Sequence, residues 1–266
     1  MYQSHWGLHK SPFLGCVAAE FFYAGPTHEE ALARLQFLVD QRRRLGVLLG
    51  PSGSGKSWLL ELFGHQLQQG RRPVARLSLL GVEPDEFLWQ LATAWGLNPA
   101  TAATTGRLWR LLTDRLREFC YQQLETVALF DDVDQADAEV LIQVARLARC
   151  QAAPELRLTL VLAGRPEGMR KLDPHLLDLV ELRIEVEPWE PADTQQFLIS
   201  SLARAGRKAP VFAEPAVTKL HELTHGIPRR VSQLADLALL AGAGQNLQHI
   251  DAGLVEAAYQ ELGGVA

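Results

Sequence analysis

A glycine-rich segment, GPSGSGKS at residues 50–57, constrains the fold of this chain more than any other part of its sequence. It follows the apolar run LGVLL and precedes WLLELFGHQL, which is typical of a helix. Gly50, Gly55, Lys56 and Ser57 match G-x-x-x-x-G-K-[ST], in which a loop between a strand and a helix aims backbone N–H groups at phosphate oxygens. The positive end of the following helix adds to the attraction. The segment therefore predicts a phosphate-binding loop; the alternative is a glycine-rich turn with a solvated lysine.

The residue types in this loop indicate its ligand. Lys56 is expected to reach the β and γ phosphates of a nucleotide, and the Ser57 hydroxyl is expected to bind Mg²⁺. The predicted ligands are therefore ATP or ADP together with Mg²⁺. The residues predicted to contact the nucleotide are Gly50, Pro51, Ser52, Gly53, Ser54, Gly55, Lys56, Ser57 and Trp58.

Apolar runs that read as strands recur along the first two thirds of the chain. Each is separated from the next by enough residues for a helical crossover, which predicts an α/β fold with a parallel sheet covered on both faces. The runs lie at residues 45–49, 74–80, 126–130, 158–164 and 182–187.

Helical patterns flank these strands. Thr27 and Glu30 form a capping-box pattern, and the apolar spacing that follows predicts a helix from about 28 to 44. After Pro191 the strand signals stop and four amphipathic segments follow. The chain is therefore expected to divide into a nucleotide-binding α/β domain, residues 1–190, and a small helical domain, residues 191–266.

Two acids, Asp131 and Asp132, directly follow the strand TVALF. A triphosphate site needs a carboxylate for its magnesium at the end of a neighbouring strand. Asp131 is expected to hold the metal with Ser57, and Asp132 is expected to orient the attacking water. The alternative is a polar strand end or a helix cap.

Composition narrows the class of protein. With 266 residues, 47% of them hydrophobic and 21% charged, the chain reads as a globular protein. A net charge of −5 argues against an obligate nucleic-acid binder. No run approaches the ~20 apolar residues of a membrane span, and the N-terminal residues lack the apolar core of a signal peptide, so we expect a cytoplasmic protein without a membrane span.

A second motif competes with the loop. His221, Glu222 and His225 spell H-E-x-x-H, the pattern in which two histidines bind zinc and the glutamate acts as general base. However, His225 precedes Gly226, which signals a helix end, and no H-x-x-G-x-x-H continuation supplies a third ligand. Glu256 is a possible third ligand without further support. We therefore expect no zinc site.

Six segments in order carry a family resemblance: YQSHWGLHKSPF, FFYAGPTHEEALARL, GPSGSGKS, LFDDVDQAD, LTLVLAGRPEGMRKL and THGIPRRVSQLADLALLAG. With them the chain resembles the AAA+ ATPases of the general secretion pathway protein A (ExeA-type) family. The resemblance implies a P-loop AAA+ core whose parallel five-stranded sheet has the order 5-1-4-3-2, a C-terminal helical lid, ATP as ligand, and self-assembly into a ring or dimer. It also implies that residues 2–28 lie near the adenine.

The same resemblance assigns a role to one arginine. Arg229 would be the lid arginine that reaches the γ phosphate, and with Lys56, Asp132 and Arg165 it makes up the predicted catalytic set. Pro228 is expected to start a helix that carries Arg229 in its first turn, where the helix dipole disfavours a cation unless an anion lies opposite. The alternative is a solvated surface arginine.

Three departures from the family pattern bear on rate. Asp132 stands where glutamate is usual, so its carboxylate reaches less far; Arg165 stands where glutamine is common; and Leu179 stands where an arginine is common. Because a leucine cannot stabilise transition-state charge, we expect nucleotide binding with slow hydrolysis.

Two functions remain open from the sequence. One is an ATPase that acts on protein partners, as the secretion resemblance implies. The other is an ATP-switched DNA-binding protein of the transposition type, for which the arginines at 42–44 are candidate contacts; their alternative role is to solvate a helix C-terminus.

Overall fold

The fold is described from a computed structural model, for residues 2–13, 23, 25–150 and 157–263. The chain divides into two compact units. The sheet unit comprises Glu30–Ser52 and Lys56–Val186, and the helical unit comprises Met1–Glu29, Gly53–Gly55 and Glu187–Ala266. Each unit has hydrophobic clusters of its own.

The sheet unit contains five parallel strands in the order β2-β3-β4-β1-β5. This order confirms the predicted α/β fold with sheet order 5-1-4-3-2. The strands are β1 Leu45–Leu49, β2 Val74–Ser78, β3 Thr126–Asp131, β4 Leu158–Gly164 and β5 Leu182–Glu185.

The burial of the strands follows their place in the sheet. Every residue of β1, β3 and β4 is buried, because these strands are covered on both faces and paired on both edges. The edge strands β2 and β5 alternate with exposed residues. The central strands β1, β3 and β4 could be predicted from the sequence because each is a nearly continuous apolar run.

Helices cover both faces of the sheet. The helices of both units, in chain order, are α1 Tyr2–Trp6, α2 Pro26–Asp40, α3 Lys56–Gln69, α4 Pro84–Ala94, α5 Thr105–Tyr121, α6 Ala138–Arg149, α7 Pro174–Leu177, α8 Pro191–Arg204, α9 Glu214–Thr224, α10 Pro228–Gly244 and α11 Ala252–Glu261. Those of the helical unit, α1 and α8–α11, are not among the helices that pack on the sheet. Leu35 of α2 and Phe63 of α3 pack with Leu129 in one cluster, and Phe87 of α4 packs with Phe130 in the other. Successive residues of β3 thus serve opposite faces.

Helix α2 ends four residues before the expected position. The N–H of Arg43 donates to Leu38 O and that of Arg42 to Val39 O, which is a Schellman closure. Arg42 takes the left-handed conformation, φ 52°, that glycine usually occupies there. The chain therefore turns before Arg44 and enters β1 directly.

The helical unit draws on both ends of the sequence. Trp6 of α1 is buried and its Nε1 donates to Leu239 O at 2.8 Å. Tyr2 donates its hydroxyl to Asp236 Oδ1 at 2.5 Å, and burial raises the pKa of Tyr2 to about 12. These residues pack with a cluster contributed by α8–α11.

None of the helices in the described ranges is long and apolar enough to span a bilayer. Whether residues 1–190 and 191–266 fold as independent domains stays a prediction, because contacts within one chain do not measure independent folding.

Candidate functional site

The carboxyl ends of the central strands bring several predicted site residues to one edge of the sheet. Leu49 of β1 lies opposite Gly164 of β4, so Gly50 and Arg165 leave the sheet side by side. Strand β3 lies between β2 and β4 and ends at Asp131. This edge is where open α/β sheets bind ligands.

Lys56 begins α3 and its side chain turns back onto the loop. It is only 9% exposed, and its Nζ donates to the carbonyl oxygens of Gly50, at 2.8 Å, and Pro51, at 2.9 Å. Burial lowers the pKa of Lys56, and the neighbouring carboxylates, Asp131 foremost, oppose that shift. An ammonium that is short of water and held by neutral carbonyls is well placed to receive an anionic ligand.

The remaining loop residues show why the motif needs glycine. Gly53 and Gly55 have φ of 85° and 100°, which side-chain-bearing residues rarely adopt. Ser52 is exposed, and Trp58, in the first turn of α3, is half-buried.

Within the helical unit, two groups bind the loop segment Gly53–Gly55. The N–H of Arg229, in the first turn of α10, donates to Gly53 O at 3.2 Å. The Nε2 of His28, in α2, lies 2.8 Å from Ser54 O. The Arg229 side chain is exposed and makes no ion pair with any residue that the structure describes. Its predicted reach to a γ phosphate stays a prediction.

Asp131 is the buried acid at the end of β3, at 6% exposure. It accepts a hydrogen bond from the N–H of Asp132 at 2.9 Å, and the nearby Ser57 hydroxyl acts to lower its pKa. Burial raises the pKa of Asp131 in spite of these two groups and of Lys56 nearby. A neighbouring hydroxyl and carboxylate are the donor set that Mg²⁺ uses in nucleotide sites, so these two residues fit the metal that the motif implies.

Asp132 has a left-handed backbone, φ 55° and ψ 33°, and its Oδ2 accepts a hydrogen bond from Ser78 Oγ at 2.8 Å. Ser78 ends β2 opposite Asp131. Ser78 was not predicted from the sequence; its signal was a hydroxyl at the end of the strand adjacent to the two acids. Its bond defines where the Asp132 carboxylate lies in this structure.

Asp134 and Arg165 form an ion pair that the sequence analysis also missed. The Nε of Arg165 donates to Asp134 Oδ2 at 2.6 Å, and its backbone N–H donates to Oδ1 at 3.1 Å. Asp134 is 3% exposed, and Lys171 Nζ donates to its carbonyl at 2.9 Å. Burial acts to raise the pKa of Asp134, but the hydrogen bonds and charge of Arg165 outweigh it, so the pKa is lowered. Arg165 thus enters the site edge with its Nε already occupied.

Leu179 is half-buried and packs against the large hydrophobic cluster of the sheet unit. Its aliphatic side chain therefore has a packing role. The predicted placement of residues 2–28 near the adenine falls partly on residues 14–22 and 24, which lie outside the described residues.

The H-E-x-x-H segment does not form one continuous helical turn. Helix α9 ends at Thr224, and His225 takes a left-handed backbone with φ 52°. His221 Nδ1 lies 2.9 Å from Thr194 Oγ1. Over the described ranges of the chain, no three His, Cys, Asp or Glu side chains cluster as metal ligands. His221 instead packs α9 against α8.

Residues 39–172, half of the chain, match the AAA domain family. The chain belongs to the AAA domain family. It is also similar to general secretion pathway protein A of Aeromonas hydrophila, at 26% identity over 269 residues that cover 100% of this chain and 49% of that protein. The chain thus spans about half the length of the curated relative that it matches. This similarity confirms the resemblance carried by the six motifs.

Solved structures share the fold of this AAA domain protein. Cdc6p from Pyrobaculum aerophilum gives a TM-score of 0.73 at 19% identity, covering 90% of this chain and 69% of that one. The ORC1 protein of Aeropyrum pernix, in complex with DNA, gives 0.64 at 18% identity, with 93% and 68% covered. The RuvB Holliday junction branch migration motor of Thermotoga maritima gives 0.59 at 14% identity, with 92% and 72% covered. At these identities the similarities establish the fold alone.

Proposed function

We propose that this AAA domain protein binds ATP with Mg²⁺, hydrolyses it slowly and acts on a protein partner. The observation that carries the proposal is the GPSGSGKS loop between β1 and α3, with the buried Asp131 at the end of the strand β3. A phosphate chain supplies the anion that Lys56 lacks, and Mg²⁺ supplies the cation that Asp131 lacks.

The binding roles follow from the loop. Its backbone N–H groups and Lys56 hold the phosphates, while Ser57 and Asp131 hold the metal. Held by Ser57 and Asp131, Mg²⁺ would supply positive charge against the negative charge of the phosphates. Arg229 is the lid cation of this proposal, and its exposed, unpaired side chain is free to meet a γ phosphate without first breaking an ion pair with a described residue.

Slow hydrolysis is supported by three residues. The Asp132 carboxylate is short and is bonded to Ser78, Leu179 provides no cation, and Arg165 is tied through its Nε to Asp134. Contacts that bind the ground state alone do not lower the barrier, and a cation that meets developing charge contributes about 10³ to 10⁵ in rate. We therefore expect turnover below about 1 per second.

The partner is assigned from similarity. The similarity to general secretion pathway protein A supports a protein partner from secretion or envelope assembly. A cytoplasmic location and assembly into a homo-oligomer are further parts of the proposal. Against the DNA-binding alternative, two of its three candidate arginines already have acidic partners: Arg42 pairs with Glu125 at 2.9 Å and Arg43 with Glu181 at 3.2 Å. An ATP-dependent shift of duplex DNA mobility that weakens with salt would restore it.

The first prediction tests nucleotide binding. Lys56→Ala removes a charged donor to the phosphates, which is worth about 10- to 100-fold in affinity for Mg·ATP. Titration calorimetry of wild type and variant measures the loss. The matched control is Lys208→Ala, which removes an exposed lysine outside the loop and should bind ATP like wild type. Equal affinity of Lys56→Ala and wild type contradicts the proposal.

The second prediction tests the rate. If Asp132 orients the attacking water, Asp132→Asn lowers turnover by about 10²-fold and Asp132→Glu raises it, each with little change in ATP affinity. Steady-state phosphate release measures both. Brisk hydrolysis by wild type that is unchanged in Asp132→Asn would show that Asp132 is not the water-orienting acid, and Asp134 would be tested next.

A further inference from the structure

The segment Gly53–Gly55 of the phosphate loop has two of its carbonyl oxygens engaged by donors of the helical unit. Gly53 O accepts the N–H of Arg229 at 3.2 Å, and Ser54 O lies 2.8 Å from His28 Nε2. The N–H of Arg229 lies in the first turn of α10, where it has no acceptor within its own helix. Both carbonyls are thereby fixed in direction.

The direction of a carbonyl fixes that of the next N–H. A trans peptide unit is planar, so its C=O and N–H point to opposite sides. No peptide bond in the described part of the chain is cis. The N–H groups of Ser54 and Gly55 therefore point away from Arg229 and His28 respectively. Gly53 and Gly55 have positive φ, the backbone conformation in which successive N–H groups of a loop form an anion-binding nest.

His28 is the side chain that acts on this nest. A carbonyl oxygen only accepts hydrogen bonds, so His28 Nε2 must carry the proton and donate it. The ring is fully buried, at 0% exposure, and its centroid lies 6.2 Å from that of Trp189 in an edge contact. Burial lowers the pKa of His28, and the bond to Ser54 and the charge of Asp193 oppose that shift without cancelling it. The lowered pKa favours the neutral ring. A neutral imidazole has one N–H donor, and in His28 that donor binds the carbonyl oxygen of Ser54.

The glycine at position 55 fits the same arrangement. A Cβ on Gly55 would lie 2.8 Å from His28 Nε2 and would displace the ring from Ser54 O. The left-handed backbone of Gly55 has a further cost for any other residue. The position of the His28 ring therefore requires glycine at residue 55.

We propose that His28 is a positioning residue of the nucleotide site, which holds the Ser54–Gly55 peptide so that the Gly55 N–H faces the phosphates. This inference rests on the proposed ATP binding. It adds a residue outside the loop motif, donated by the first turn of α2, to the parts that determine affinity. Because the N–H contacts ground state and transition state alike, its loss raises KM and leaves kcat nearly unchanged.

The test compares two substitutions of His28. His28→Phe keeps a ring but has no donor, and His28→Gln keeps an N–H donor. We expect His28→Phe to weaken Mg·ATP binding about 10-fold, the worth of one hydrogen bond of roughly 1.4 kcal/mol, and His28→Gln to bind more tightly than His28→Phe. His65→Phe, at an exposed histidine of α3, is the matched control and should bind like wild type. Equal ATP affinity of His28→Phe and wild type, or equal loss in both His28 variants, overturns the inference.

A second measurement does not depend on the variants folding. The ring nitrogen chemical shifts of His28 in wild type distinguish the two neutral tautomers. We expect the Nε2–H form; an Nδ1–H ring cannot donate to Ser54 O and overturns the inference. If wild type with the Nε2–H ring fails to bind ATP, the proposed function has failed instead, and the positioning role fails with it.

Discussion

Two regions at the carboxyl end of β3 each bury a carboxylate, and the pKa values of the two carboxylates shift in opposite directions. In the metal corner, Ser57 and Asp131, the acid has a raised pKa because burial is not compensated by its partners. In the arginine socket, Asp134 with Arg165 and Lys171, an acid that is also buried has a lowered pKa because the guanidinium of Arg165 binds one of its oxygens and the backbone N–H of Arg165 binds the other. The two acids lie three positions apart in the sequence.

The difference in pKa distinguishes an acid that can bind an external cation, Asp131, from an acid that is already paired with a cation of the protein, Asp134. An uncompensated buried acid destabilises the fold until a cation arrives, so it marks where an external cation fits. A compensated acid already has its cation and contributes to the fold. The third, fourth and fifth predictions test this contrast.

The third prediction concerns the tightest packing in the arginine socket. A Cβ added at Gly168 would lie 1.9 Å from Asp134 Cβ and 2.9 Å from its Cα, so the backbone itself would have to move. We expect Gly168→Ala to destabilise the fold by about 3 kcal/mol, which lowers the Tm by roughly 6 to 12 °C. Calorimetric unfolding measures the change.

Gly106→Ala is the control for this glycine. A Cβ there meets nothing within 4 Å, and its position in α5 favours alanine, so the Tm should stay the same or rise slightly. A Gly168→Ala protein as stable as wild type would mean that the socket is not tightly packed around Asp134.

The fourth prediction sets the two acids against each other. Asp131→Asn removes an uncompensated buried charge and should raise the Tm of the nucleotide-free protein by roughly 2 to 4 °C, while weakening Mg²⁺-dependent ATP binding. Asp134→Ala removes the carboxylate that binds the backbone N–H and the Nε of Arg165 and should lower the Tm by roughly 2 to 10 °C. Thermal unfolding without ligand measures both. Shifts of the same sign would abolish the distinction between the two regions.

The fifth prediction concerns pH and is the smallest effect. For Asp131 the folded pKa lies above the ordinary value of 3.8, so its destabilising effect is complete at neutral pH and fades as the pH falls towards 3.8. The Tm advantage of Asp131→Asn should therefore shrink between pH 7 and about pH 4.

For Asp134 the sign reverses. Its folded pKa lies below 3.8, so its stabilising effect is complete above that value and is lost only as the pH falls through the lowered pKa. The Tm deficit of Asp134→Ala should thus stay constant from pH 7 to about pH 4 and shrink below it. Paired unfolding curves at several pH values check both windows; a constant Asp131→Asn advantage would contradict the first.

The sequence predicted what depends on local patterns. The central strands are continuous apolar runs, the loop motif is contiguous, and the strand order followed from the family resemblance. Ser78, His28 and the pairing of Asp134 with Arg165 were not predicted, because each depends on tertiary contacts between residues 26 to 54 positions apart. No periodicity encodes such a pairing. The early end of α2 was missed because arginine, not glycine, occupies the left-handed position at residue 42.

The packing of α1 sets an order of events during synthesis. Trp6 donates to a carbonyl 233 residues later, at Leu239, and Arg207 donates to Trp6 O at 2.9 Å. The helical unit therefore cannot close until Leu239 has left the ribosome, whereas the residues of the sheet unit, which ends at Val186, have all emerged earlier. Because domains fold as units from the N-terminus and long-range contacts form late, the sheet is expected to form first while Trp6 waits exposed. A chain stopped before α10 carries that unburied tryptophan permanently, which makes it a substrate for chaperones and proteases.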